Sequence, residues 1–176
     1  DVAVVKGTKT GNNFSFEDNS FLYIGQFKNF YDISRNSYYE IRLSNVSGKN
    51  PSMDDNFSHV GSLGLTYKWV PVGRGLYRTL DWKTEFLYSY RNENNGPVRS
   101  KGFYSSLQNK LNARFWIGGR IGYCELPNDP GQHVWDFTVN LDFWQSEFVF
   151  TRLQYQYNNR NIENPVAQGF LPDDHS

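Results

Sequence analysis

The sequence predicts an all-β chain, an antiparallel up-and-down transmembrane β-barrel, on three observations. The first is the stretch YRTLDWKTEFLYSYR at residues 77–91. Leu80, Trp82, Thr84, Phe86, Tyr88 and Tyr90 alternate there with Thr79, Asp81, Lys83, Glu85, Leu87, Ser89 and Arg91. Period-two alternation describes a strand with one apolar and one polar side. Soluble strands usually stop near about five or six residues, whereas this one runs on with both signs of charge in mid-strand. The second observation is that the pattern recurs along the chain. The third is an expected sorting of connections, short at one end of the strands and long at the other, as in outer-membrane barrels.

Composition sets bounds. At 176 residues the chain is expected to be a single domain, residues 1–176. Hydrophobic residues make up 38% and no run of about 18 uncharged apolar residues occurs, so no helical membrane span is expected. Aromatic residues reach 18%, with 12 Tyr, 14 Phe and 5 Trp, a composition suited to strands whose every second residue is polar. The net charge of zero gives no electrostatic footprint for nucleic acid, which is not expected as a partner. Cys124 is the sole cysteine, so neither an internal disulfide nor a cysteine-cluster zinc site is available.

Taken in order, residues 1–20 are turn-rich, with a little strand near Val2–Lys6. Phe21–Tyr31 is the first clear strand, and DISRNS (32–37) turns the chain. Tyr38–Val46 sets Tyr39, Ile41 and Leu43 against Glu40, Arg42 and Ser44. A polar loop at Ser47–Phe57 leads to Ser58–Trp69, where Leu63, Leu65, Tyr67 and Trp69 oppose Ser62, Gly64, Thr66 and Lys68. VPVGRGL (70–76) reverses the chain into the long strand already described. After an expected loop at Asn92–Lys101, Gly102–Arg114 sets Phe103, Leu107, Leu111 and Ala113 against Tyr104, Ser106, Gln108, Lys110, Asn112 and Arg114. A tight reversal at Arg114–Trp116 precedes Ile117–Cys124, with Arg120 on the polar side. Glu125–Val134 is read as another long loop. Trp135–Phe143 alternates cleanly, Asp136, Thr138, Asn140 and Asp142 opposing the apolar set. Trp144–Phe148 turns into Val149–Asn158, and Asn159–Ser176 is read as a terminal loop.

Short reversals near residues 34, 73, 115 and 146 thus alternate with expected long loops near 52, 96, 130 and beyond 158. Both ends of the chain fall on the long-loop side, whereas complete bacterial barrels start and finish on the periplasmic side with an even number of strands. On that parity the chain is expected to be the C-terminal part of an outer-membrane barrel, truncated at both ends. About eight strands are then present, of ten or more.

If the apolar sides face lipid, the charged residues must face the lumen, because a lipid-facing charge at mid-bilayer costs about 2–4 kcal/mol. The lumen-lining candidates are Glu40, Arg42, Lys68, Asp81, Lys83, Glu85, Lys110, Arg114, Arg120, Asp136, Asp142 and Arg152. Such rings tune conductance and ion selectivity, and their slight basic excess leans toward anions. The structural alternative is a salt-bridge lattice in which Asp81, Lys83 and Glu85 pair across the sheet with Lys110 and Arg114.

Tyr39, Tyr67, Trp69, Trp116 and Phe143 gather at the short-turn ends, with Phe115, Trp144 and Phe148 near them. Tyr88, Tyr90, Tyr123, Trp135, Tyr155 and Tyr157 gather at the loop ends, with Phe103. Two bands joined by Leu, Ile and Val read as interfacial girdles. Metal binding rests on irregularly spaced loop residues, His59, His133 and His175 near Cys124, Asp129, Asp173 and Asp174, with His133, His175, Asp129 and Asp173 as the candidates, and solvated side chains are the simpler reading. No cofactor is implied. Catalysis is not expected either: Ser58 and His59 are adjacent, and adjacent strand residues point to opposite faces.

The stretches YRTLDWKTEFLYSYR, ARFWIGGRIGYCELPNDP, FTVNLDFWQSEFVFTRLQYQYN and LPDDHS resemble the C-terminal half of a Gram-negative family of zinc-regulated TonB-dependent outer-membrane receptors, or porin-like proteins, over roughly residues 21–176. The resemblance implies an outer-membrane location, lipid as a neighbour, and passage of a small solute or ion, metal-linked solutes included. No TonB box or plug segment is visible, which leaves TonB coupling open. The competing expectation is a soluble β-barrel or β-sandwich that binds a lipid or glycan, with its apolar face inward.

Overall fold

The computed structural model describes residues 1–6, 14, 21–50, 57–75, 77–93, 96–126, 129–146 and 148–161. Among these residues, nine strands form one antiparallel meander in sequence order. They are β1 (Val2–Val5), β2 (Leu22–Ser34), β3 (Ser37–Lys49), β4 (Phe57–Trp69), β5 (Thr79–Glu93), β6 (Gly96–Lys110), β7 (Phe115–Leu126), β8 (Asp129–Trp144) and β9 (Phe150–Asn161). The sheet is open, with β1 and β9 as its edges. Both the all-β, up-and-down expectation and the small first strand are met; among the described residues the sheet does not close into a barrel.

Eight of the strands exceed the usual strand length, running from 12 to 16 residues. The extra length lies where polar loops were expected. Arg91, Asn92 and Glu93 pair with Val98, Pro97 and Gly96, so much of the 92–101 stretch is strand. Glu125 pairs with His133 and Leu126 with Asp129 across a register shift, so much of 125–134 is strand as well. Turn-forming residue types yield here to the backbone, whose N–H and C=O groups find partners on a neighbour that continues past the apolar zone. The expected sorting of connections by length is therefore not observed. Strands are paired up to positions flanking 94–95 and 127–128 at one end, while residues 70–78 separate β4 from β5 at the other.

The register fixes two faces. Starting from Arg42, pairing leads across the sheet to Gly64, Glu85, Tyr104, Gly122, Asp136 and Asn158. One residue along, Leu43 leads to Leu63, Phe86, Phe103, Tyr123 and Trp135. Burial reverses the order found in a soluble domain. No hydrophobic residue among those described is buried, and Phe86 is 55% exposed. The polar face instead holds buried Ser58, Thr79, Arg91, Ser100 and Asp142. A packed soluble core centred on Trp82, Phe86, Phe137 and Leu141 is absent; all four are exposed.

Candidate functional site: a charge belt and two aromatic bands

Glycines on the polar face let long side chains lie flat against the wall. Arg42 crosses β4 at Gly64, where an added Cβ would sit 3.4 Å from its guanidinium. It thereby reaches Glu85 two strands away, donating from Nη2 to Oε2 at 3.3 Å. The Tyr104 hydroxyl donates to the same Oε2 at 3.1 Å. The Arg120 guanidinium lies 5.3 Å from the centroid of the Tyr104 ring and its Nε is 3.7 Å from Asp136 Oδ2. Asp136 in turn occupies the space that a Cβ on Gly122 would need. The result is a transverse belt, Arg42–Glu85–Tyr104–Arg120–Asp136, spanning β3 to β8.

Other ionic contacts flank the belt. Lys28 pairs with Glu40 at 3.2 Å, and Lys83 with Asp81 of its own strand at 3.6 Å. Arg152 grips Asp142 through two bonds, Nε to Oδ1 at 2.7 Å and Nη2 to Oδ2 at 2.8 Å, while the Asn140 amide donates to Oδ1 at 3.1 Å. Bidentate guanidinium–carboxylate pairs combine charge with fixed geometry. Arg91 pairs with Glu93. Lys68 stands opposite Asp81 and Tyr38 in the register, and the Lys110 ammonium lies 5.1 Å from the Trp116 ring centroid.

Eleven of the twelve charged candidates thus share the polar face. Arg114 does not: β6 ends at Lys110, and Arg114 falls in the connection, where its carbonyl accepts the Trp144 N–H. The particular pairings also differ from expectation. Glu85 finds Arg42 rather than Lys110, because glycine at 64 opens a route across β4 that residue type alone does not display. Lys28 and Tyr104 were missed as members of the array, although their alternation placed Tyr104 on the correct side.

The aromatic candidates Tyr39, Tyr67, Trp69, Tyr88, Tyr90, Tyr123, Trp135, Phe143, Tyr155 and Tyr157 fall on the apolar face. Trp116 does not. It pairs with Lys110 and Asp142 on the polar face: β7 begins at Phe115, so Trp116 is a strand residue rather than part of the reversal, and the alternation that puts Ile117 on the apolar face puts it on the other. Trp144 lies on that face too, one residue past Phe143.

The far ends of both bands are offset along the strands relative to the register. From Tyr67, pairing leads through Trp82, Leu107 and Gly119 to Val139, yet the band continues at Phe143, four residues further along β8. From Tyr88 it leads to Lys101, whose amide donates to Glu125, and on to His133 and Asn161. Tyr157, the aromatic residue of that band on β9, lies four residues back along its strand, in the same sense. Four residues are about 13 Å, and four strand spacings about 19 Å, so the line joining each of these two end pairs is inclined about 35°, while Phe103, Tyr123 and Trp135 within the second band share one register line. Barrel strands tilt by about 35–45°. Along β8, Trp135 to Phe143 spans about 26 Å, or about 22 Å along the axis at that tilt, close to the apolar height of about 25 Å in such barrels.

Of the metal candidates, Asp129 and His133 fall within the described residues. Asp129 accepts the Gly131 N–H at 3.0 Å and the Gln132 amide at 2.8 Å, and His133 packs on Tyr123. Asp173 and His175 lie outside the described residues, among which no group of three His, Cys, Asp or Glu side chains is placed to hold a metal. Ser58 and His59 occupy opposite faces, as alternation requires. Comparison with known proteins finds no matching family model, no matching curated protein and no matching solved structure.

Proposed function

We propose that the chain forms wall of an outer-membrane β-barrel of a Gram-negative bacterium, with lipid against its apolar face and a hydrated, charge-lined path along its polar face. The observation that carries this reading is the exposed apolar face of strands 12 to 16 residues long, bounded toward both strand ends by aromatic residues. A β-sandwich or soluble barrel of the same sequence would bury that face against a second layer. Here the polar side holds the buried groups instead.

In this reading the belt of Arg42, Glu85, Tyr104, Arg120 and Asp136 follows the register across β3 to β8 and so climbs obliquely along the path. Small hydrated solutes or ions pass it, and its fixed charges set the electrostatic barrier they meet. No covalent step is required. Porin-like passage and receptor-type uptake share this wall, and the resemblance noted above supports either. Closure would come from pairing at the β1 and β9 edges, since an open edge is not viable in hydrocarbon.

The test is reconstitution of the full-length protein into planar bilayers under a salt gradient. Stepwise conductance whose reversal potential moves on Arg120→Gln supports the reading. A β-rich product that is monodisperse without detergent, and that does not enter bilayers, would refute it.

A further inference from the structure

Charge is unevenly placed on the apolar face. Among the described residues of β2 to β9, the register puts Lys49, Arg99, Lys101 and Glu125 there, all at the end beyond Phe103, Tyr123 and Trp135, and three of the four are basic. Beside them lies an open groove of about 700 Å³ whose lining includes Phe86, Phe103, Tyr123 and Trp135 together with Lys101 and His133. Its walls are set by ring contacts. Phe103 meets Tyr123 at 6.2 Å and Trp135 edge-on at 5.9 Å, while Tyr123 and Trp135 are 4.7 Å apart. The volume falls in the range of about 300–1,000 Å³ usual for small-molecule sites.

We propose that this groove binds a phosphate-bearing lipid, its acyl chain among the four rings and its phosphate at Lys101 and Arg99. The inference rests on the membrane reading of the apolar face. Its chemistry follows from which groups are already engaged. Glu125 uses one oxygen on the Tyr123 hydroxyl at 2.9 Å and the other on the Lys101 backbone N–H at 2.9 Å. Its contact with the Lys101 ammonium is loose, at 3.8 Å, and that side chain is 71% exposed. The Arg99 guanidinium lies 5.9 Å from the Tyr90 ring centroid and is exposed. Two cations therefore stand at the boundary where a lipid phosphate arrives, with the acidic neighbour turned to holding the wall. Basic pockets of this kind recognise lipid head groups.

The full-length protein folded in detergent, examined by native mass spectrometry, tests the proposal. Phosphatidylglycerol and a diacylglycerol with the same acyl chains are offered in parallel, with glycerol phosphate as a chain-free competitor. Phosphatidylglycerol is expected to be retained preferentially, and binding to fall about fivefold for Lys101→Gln and about twentyfold for the Lys101→Gln/Arg99→Gln variant. Lys83→Gln, on the opposite face, is expected to bind as the parent does, and heat-dependent gel mobility checks that each variant is folded. Equal retention of the two lipids, unchanged binding by the double variant, or full displacement by glycerol phosphate would each overturn the proposal while leaving the membrane reading intact. A protein that stays dispersed without detergent and retains neither lipid would remove both.

Discussion

Glu85→Gln takes one negative charge from the middle of the polar face and keeps the side chain's length. The carboxylate receives Arg42 at 3.3 Å and the Tyr104 hydroxyl at 3.1 Å. At an effective dielectric of 20, a pair at that separation attracts by about 5 kcal/mol before desolvation and screening are subtracted. The two side chains are 35% and 16% exposed, so the pair stands between a surface bridge, worth about 0.2–1 kcal/mol, and a buried one, whose breakage costs about 3–5 kcal/mol. The expected cost of Glu85→Gln is therefore about 1–2 kcal/mol, since the amide oxygen still accepts from Tyr104. A double-mutant cycle with Arg42→Gln should return a coupling of about 1 kcal/mol. Urea unfolding from lipid vesicles, followed by tryptophan fluorescence, is the assay. Lys83→Gln is the internal control: its partner Asp81 is on the same strand at 3.6 Å and its side chain is 53% exposed, so the change should stay within about 0.5 kcal/mol. A coupling near zero for Arg42–Glu85, or a larger cost for Lys83→Gln than for Glu85→Gln, would refute the belt as a cooperative element.

Phe86→Arg should lower stability in vesicles by about 2–4 kcal/mol and reduce insertion yield, while Ser106→Arg, on the polar face, should insert normally; equal yields by protease protection would count against the assignment of faces. Gly118→Ala should destabilise by about 1–3 kcal/mol, because the new Cβ would fall 2.6 Å from Asn140 Oδ1 and 3.1 Å from Gln108 Cγ. Gly25→Ala, with nothing within 4 Å, should be neutral or slightly stabilising in the same unfolding assay. Asp142→Asn should weaken the β8–β9 pairing by leaving Arg152 without its carboxylate, seen as faster amide exchange along β9.

The two faces were legible because each rests on a period of two that single residues cannot disguise. Glu85 beside Phe86, and Asp136 beside Phe137, announce their sides before any neighbour is known. What lies across a strand was not legible. Arg42 meets Glu85 only because the register brings Gly64 between them, and register is a property of pairing, not of one segment. Strand ends failed for a related reason. Asn92 and Pro97 look like loop residues in isolation but are paired with each other, the partner strand overriding local preference. Trp116 was misplaced because it was read as part of the reversal, whereas β7 begins at Phe115 and alternation with Ile117 then puts Trp116 on the polar face. The offset at the far ends of the aromatic bands becomes visible only once the register is known.

Single-tryptophan variants in vesicles measure the central claim most directly. One retains Trp82, on the apolar face, and another retains Trp116, on the polar face. With lipids brominated along their acyl chains, Trp82 fluorescence should be quenched strongly and should resist aqueous acrylamide, while Trp116 should respond to acrylamide and not to the lipid. Quenching of Trp82 by acrylamide with no effect of the brominated chains would contradict the account.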